Sequence, residues 1–157
     1  YETGQLVALM RSRSADYIYR SHSMDFGRTW ATPQPTPLPN NNSSIQSCRL
    51  ESGRLALVFN RFHACDTRAT DRALWRQERY PVTIALSADG GLTWPWQRDI
   101  DAGDGFCGDA NRHLNRQDAY PCIMQTADGL IHVAYSYRGR QCIKYVRFDE
   151  EWVVFSA

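Results

Sequence analysis

Lysine is almost missing from this chain: Lys144 is the only one among 18 Lys and Arg residues. Guanidinium forks match carboxylates bidentately, so some of these arginines suit a carboxylate clamp. Runs of one charge sign are also absent, and the net charge is +1. Nucleic acid and anionic membrane surfaces are therefore poor partners. Long hydrophobic runs are lacking too. LVALM (6–10) and VTIAL (82–86) have the length of strands, far short of a membrane span. Helical periodicity is nearly absent. The exception is TRATDRALWRQER (67–79), a short helix candidate that Asp71 is placed to cap. No metal motif is complete. In DIDAGDG (99–105), Gly103 stands where a calcium loop needs its third oxygen ligand, and no Glu follows. His63, Cys65, Cys107 and His113 match no zinc-knuckle spacing. No metal and no cofactor are expected.

What is present fits one domain with a real core: 157 residues, 43% hydrophobic and 22% charged. The five cysteines leave at least one thiol free or bridged to another chain. Cys48, Cys122 and Cys142 lie in or beside strand-like stretches and read as small buried hydrophobes. Cys65 and Cys107 lie in polar loops, where a pair is open to them. His22 and His132 read as ordinary strand residues.

The chain repeats itself. Gly4-Gln-Leu-Val-Ala-Leu-Met-Arg11, Gly53-Arg-Leu-Ala-Leu-Val-Phe-Asn60 and Gly129-Leu-Ile-His-Val-Ala-Tyr-Ser136 are three Gly-led strands. IHVAYSY puts Ile131, Val133, Tyr135 and Tyr137 on one face and His132, Ala134 and Ser136 on the other, which is the period of a strand. Two copies are followed by one eight-residue device, SMDFGRTW (23–30) and SADGGLTW (87–94). After the third copy, Asp149 and Trp152 look like the same device without its Gly and Thr.

Turn chemistry explains the device. Asp25 and Asp89 can accept backbone N–H bonds in a tight turn. Gly27 and Gly91 supply a positive φ. Ser23 and Ser87 end one strand, Thr29 and Thr93 favour re-entry into the next, and Trp30 and Trp94 bury a large ring between layers. The box thus reads as a structural hairpin staple rather than a sugar or metal ligand. Propeller blades run about 40–50 residues, so three copies mean about three blades. Closed propellers need about four to eight, so other blades must complete the ring.

The boxes, the Gly-led strands before them and the segment AYPCIMQTADGLIHVAYSY resemble the sialidase (neuraminidase) superfamily, as do the LPNNNS- and YP-type segments. The resemblance covers almost the whole chain except two insertions, 61–79 and 95–119. It implies an all-β fold, a six-bladed sialidase-like β-propeller of which this chain supplies about three four-stranded antiparallel blades. The approximate units are 1–50, 51–118 and 119–157. The family's motif order places a carboxylate-binding Arg at Arg11, a second at Arg79 and the nucleophilic Tyr at Tyr120. Its first triad Arg, acid/base Asp and Tyr-activating Glu would lie before Tyr1. Pro121 stands where the family usually has Ser, and Tyr135-Ser136 stands where it has Tyr-Glu.

The implied activity is an exo-glycoside hydrolase on sialic acid or a related acidic sugar, retaining through a tyrosyl intermediate. Its partners would be a glycan and the remaining blades, with no nucleic acid and no membrane span. Two alternatives stay open. One is a non-catalytic carbohydrate-binding or interaction propeller; the other acts on acidic polysaccharide by different chemistry, such as a lyase. The chemistry of the carried-over residues is coherent. Arg forks suit the sugar carboxylate, and a neutral Tyr escapes the repulsion that a carboxylate nucleophile would meet. The two insertions flank Arg79 and Tyr120, and Trp75, Phe106 and His113 are available to line a rim or to plug the loops down.

Overall fold

The computed structural model describes residues 4–63, 79–101 and 117–155. The candidate helix up to residue 78, Cys65, Cys107 and most of both insertions lie outside them, so the zinc set is represented only by His63. That ring packs edge-on against Tyr17, with centroids 5.0 Å apart.

Among the described residues, ten strands form three sheets, each a meander of sequential antiparallel neighbours. The first holds β1 (Leu6–Arg11), β2 (Tyr17–Ser23) and β3 (Gln34–Pro39). The second holds β4 (Gln46–Arg49), β5 (Leu55–Asn60), β6 (Val82–Ser87) and β7 (Trp96–Asp101). The third holds β8 (Ala119–Gln125), β9 (Ile131–Tyr137) and β10 (Cys142–Phe148). These are the three blades expected. Among the described residues only the middle one has four strands; the outer two have three.

The middle sheet is buried on both faces, and strand periodicity divides its side chains. Leu57, Phe59 and Ala85 join Ile18, Leu38 and Trp94 in the core shared with the first sheet. Ala56, Val58, Val82, Ile84 and Leu86 join Ile123, Ile131, Val133 and Tyr135 in the core shared with the third. A strand covered on both sides reads as a continuous apolar run rather than an alternation, as LALVF and VTIAL do. In β9 the expected face, Ile131, Val133, Tyr135 and Tyr137, is the buried one.

Both boxes have one geometry. In the first, Ser23 Oγ donates to Asp25 Oδ1 (2.8 Å), Thr29 N to Asp25 Oδ1 (2.8 Å), and Thr29 Oγ1 to Asp25 Oδ2 (2.7 Å). In the second, the matching bonds onto Asp89 measure 2.7, 2.9 and 2.5 Å. The turn needs two consecutive positive φ values. Gly90 and Gly91 provide them at 70° and 85°, and Phe26 and Gly27 at 60° and 84°. Hydrogen bonds from Thr29 and Ser23 hold the Asp25 carboxyl at about 2. Burial opposes the charge of Asp89, but bonds from Thr93, Ser87 and Leu92 outweigh it and bring that carboxyl to about 2.

Three expectations are corrected. Trp94 is buried at 4% exposure, but Trp30 is 46% exposed. Trp94 sits between two sheets, whereas Trp30 lies on the outer side of the first sheet beside Ala8 and Met10. Asp149 and Trp152 do not form a box. Asp149 caps α1 (Glu150–Val154), accepting the Trp152 N–H at 2.7 Å. Without a Gly to turn the chain back, the same carboxylate-to-amide bond starts a helix instead. Cys48 is only half-buried, and Cys122 and Cys142 are exposed. Cys122 shares with the exposed Met124 the face of β8 turned away from the core, and Cys142 begins β10 beside the β9–β10 turn.

The box bonds carry a consequence for stability. Asp89→Ala is expected to lower the melting temperature more than Asp25→Ala, because only Asp89 anchors a buried Trp. Each wild-type contribution is fully present above the unfolded carboxyl pKa of about 4 and is lost as pH falls through about 2. Thermal melts at pH 7 and pH 2.5 check this: the gap between wild type and Asp89→Ala should shrink at the lower pH.

Candidate active site

Strand register places the sequence-derived site residues at one end of the sheets. In the first sheet Arg11 pairs with Ile18, while the box residue Ser23 pairs with Leu6 at the other end. In the second, Val82 pairs with Asn60, and the box residue Ser87 pairs with Leu55. Arg79 precedes Val82 and so lies at the end away from the box. In the third, Ala119 pairs with Ser136, putting Tyr120 beside the β9–β10 turn. The two Asp-boxes therefore occupy the opposite end from Arg11 and Arg79.

Each residue is held by backbone structure. The Arg11 guanidinium donates to the carbonyl of Asn42 at 3.3 Å. Asn42 has φ 61° and belongs to the buried run Asn40–Ser43, which Asn40 N ties to Asp16 O at 3.0 Å. Arg79 forms a bridge with Gln117, and its carbonyl accepts from Asp118 N at 3.0 Å. That bridge lays Arg79 beside the start of β8. Asn60 Nδ2 donates to the Asp118 carbonyl at 3.0 Å, tying β5 to the same point. Tyr120 follows with φ 54° and is 55% exposed. A left-handed tyrosine is rare, and such backbone concentrates at functional positions. It coincides with an irregularity in the β8–β9 register between Ala119 and Cys122.

Arg79 and Tyr120 stand together: the guanidinium carbon lies 5.6 Å from the ring centroid. A third cation, Arg140, lies 5.2 Å from the same centroid. Burial lowers the Arg79 pKa. Tyr120 opposes that shift, while Arg140 and Arg11 add to it. Arg79 and Arg140 thus share the Tyr120 ring, and Arg11 is the weakest of the influences on Arg79. Among the described residues no carboxylate forms an ion pair with Arg79 or Arg140. Such a cluster is suited to an anion, and an exposed phenol stands at its centre.

Next to it lies a buried titratable group of which the sequence reading took no notice. Asp118 is fully buried, and among the described residues neither carboxyl oxygen has a hydrogen-bond partner. Burial pushes its carboxyl up to about 8, with Asp101 acting in the same direction and Lys144 against it. Lys144 pairs with Asp101 at 2.5 Å, and the Tyr135 hydroxyl donates to that same oxygen at 3.1 Å. Burial and Asp101 raise the Tyr135 phenol well above its ordinary range. The single lysine thus serves two carboxyls, and Asp118 keeps a proton. Nothing in the sequence analysis singled out Arg140 or Asp118.

The model of the BNR repeat-like domain matches residues 1–133. Among solved structures, the Hadza microbial sialidase Hz136 superposes with a TM-score of 0.65 at 19% identity, over 96% of this chain and 26% of that one. The K499G mutant of the NanB sialidase from Streptococcus pneumoniae superposes with a TM-score of 0.67 at 14% identity, over 94% of this chain and 22% of that one. The chain therefore spans about a quarter of the length of these structures. Comparison with curated proteins finds no match. The matched domain, the paired Asp-boxes and the three meander sheets lead to one assignment: the chain belongs to the BNR repeat-like domain family, and its three sheets have the fold of three blades of a sialidase-like β-propeller.

Proposed function

We propose that the protein containing this chain is an exo-acting glycoside hydrolase for sialic acid or a related acidic sugar. The observation that carries this is the exposed, left-handed Tyr120 with Arg79 and Arg140 against its ring and Arg11 acting on Arg79. Arg11 and Arg79 clamp the sugar carboxylate. Tyr120 Oη attacks the anomeric carbon as the bond to the aglycone oxygen breaks. The aglycone leaves with a proton from an acid supplied by the remaining blades, and the phenol proton passes to a base there. Water then attacks the same carbon, breaks the tyrosyl bond and restores the phenol. Net retention follows from two inversions. The cationic surround keeps the substrate anion in place, and the neutral phenol meets no repulsion from it.

Arg79→Ala in the intact protein is expected to weaken binding of N-acetylneuraminic acid about 10- to 100-fold, the range for losing one charge-assisted contact. Isothermal titration measures it. Unchanged affinity would refute the clamp. Weakened binding in a protein that never turns over a sialoside would favour a non-catalytic carbohydrate-binding propeller.

A further inference from the structure

Asp118 sits at the junction that brings Arg79 and Tyr120 together. Its N–H donates to the Arg79 carbonyl at 3.0 Å, and its own carbonyl accepts from Asn60 Nδ2 at 3.0 Å. The next residue, Ala119, is pinned through its carbonyl by Ser136 Oγ at 2.9 Å. Tyr120 then leaves the regular ladder, with φ 54° and a register irregularity that runs to Cys122. The backbone of Asp118 thus ties the end of β5, the segment carrying Arg79 and the start of β8 into one knot. The contact of Arg79 with the Tyr120 ring, at 5.6 Å, hangs on it.

The side chain of Asp118 has no such anchorage. Among the described residues neither of its carboxyl oxygens is hydrogen-bonded, and Asn60 Oδ1 lacks a partner too. The cation that favours its charge is Lys144 on β10, and the carboxylate that opposes it is Asp101 on β7. Those two are paired with each other at 2.5 Å. On β9, the Tyr135 hydroxyl donates to Asp101 and the Tyr137 ring lies 4.7 Å from Lys144 Nζ. Arg61, just after β5, is held by Asp99. A neutral acid fits this setting. A carboxylate does not, because a buried charge needs a counter-charge or hydrogen bonds. On ionisation Asp118 must move toward water or toward a cation. It cannot do so without pulling on the Arg79 carbonyl and, two residues on, on Tyr120.

We infer that Asp118 is a positioning residue that makes the site pH-sensitive: as the neutral acid it holds Arg79 and Tyr120 side by side, and as the carboxylate it parts them. Its effect on ligand binding rests on the acidic-sugar reading of Arg79 and Tyr120; its effect on the position of Tyr120 does not. Asp118 touches no substrate in this role and acts only through the backbone it shares with the two site residues.

Ring-13C tyrosine NMR of the intact protein follows the site without any ligand, with the Tyr120 signal assigned by its loss in Tyr120→Phe. Wild type is expected to show a step in that signal centred near pH 8, where the Asp118 carboxyl titrates. Asp118→Asn and Asp118→Leu are neutral at every pH and should show no step. Calorimetric titration with N-acetylneuraminic acid gives the second readout. If only the neutral form holds the pair together, wild-type affinity falls about tenfold from pH 7 to pH 9, the factor set by the population of the neutral form. Both variants should bind equally at the two pH values, whereas a purely structural role would change affinity by one factor at both. A wild-type Tyr120 signal that stays flat overturns the inference. So does a step that persists in both neutral variants, since another group then drives it. A step in Tyr120 without affinity for sialic acid at any pH leaves Asp118 as the positioning residue and refutes the acidic-sugar reading. Affinity that depends on Arg79 but not on pH refutes the inference alone.

Discussion

Tyr120→Phe in the intact protein is expected to cut turnover of a chromogenic sialoside by roughly a thousandfold or more, with sialic acid affinity within about threefold of wild type. The ring is kept, so the contacts of Arg79 and Arg140 with its face survive. What is removed is the oxygen that would form the covalent bond on the proposed route, together with its hydrogen bond to Arg79. The interaction lost belongs to the transition state and the intermediate, so kcat falls while ground-state binding stays. Steady-state kinetics and a parallel binding titration separate the two. Normal turnover by the Phe protein would exclude the tyrosyl route. An equal loss in affinity and rate would make Tyr120 a binding residue instead.

Asp118→Asn is expected to stabilise the protein at pH 8 by on the order of 2–4 kcal/mol and to flatten its pH profile. The carboxyl titrates at about 8 in the fold and near 4 when unfolded. Between those values the folded state holds a proton that the unfolded state has released. Wild-type stability therefore falls as pH rises from about 4 to about 8 and then levels off. Asn removes the titration and keeps the shape. Its amide replaces two oxygens that have no hydrogen-bond partner among the described residues, so no described bond is sacrificed. The immediate setting limits the gain: Lys144 favours the carboxylate while Asp101 disfavours it. Denaturant melts of both proteins at pH 5 and pH 8 decide the matter. Curves that stay parallel between the two pH values would show that Asp118 is ionised throughout.

The architecture was legible because it rests on local patterns that repeat. Gly-led strands, period-two alternation and the Ser-Asp-Gly-Thr-Trp device each fix a short piece of backbone, and three copies in sequence give three meander blades. What surrounds each copy was not legible. Trp30 and Trp94 occupy the same box position, yet one is exposed and one buried, because the difference is made by the neighbouring sheet. Cys122 and Cys142 read as core for the same reason. The Asp149–Trp152 pair shows the limit of motif matching. An Asp accepting an amide three residues on serves a hairpin or a helix cap, and the missing Gly decides between them.

The site divides along the same line. Arg11, Arg79 and Tyr120 were proposed from the family's motif order, with the repeat setting their register, and the structure brings Arg79 and Tyr120 together. The proximity of Arg79 to Tyr120 depends on the bridge between Arg79 and Gln117, a contact across a long insertion with no local signature. Arg140 and Asp118 became visible only in three dimensions. One is aimed by three left-handed residues in a turn, and the other is perturbed by burial beside Asp101.

The central proposal is that Tyr120 attacks an anomeric carbon beside Arg79 and Arg140. Incubating the intact protein with a 2,3-difluorinated sialosyl fluoride and mapping the product by peptide mass spectrometry tests it most directly, since fluorine beside the anomeric carbon slows release of the covalent intermediate. The account predicts one added 3-fluorosialosyl mass on Tyr120, with the anomeric fluorine lost as fluoride, absent from the Tyr120→Phe protein and suppressed by free sialic acid. No adduct in a protein that hydrolyses sialosides, or an adduct on another residue, would contradict it.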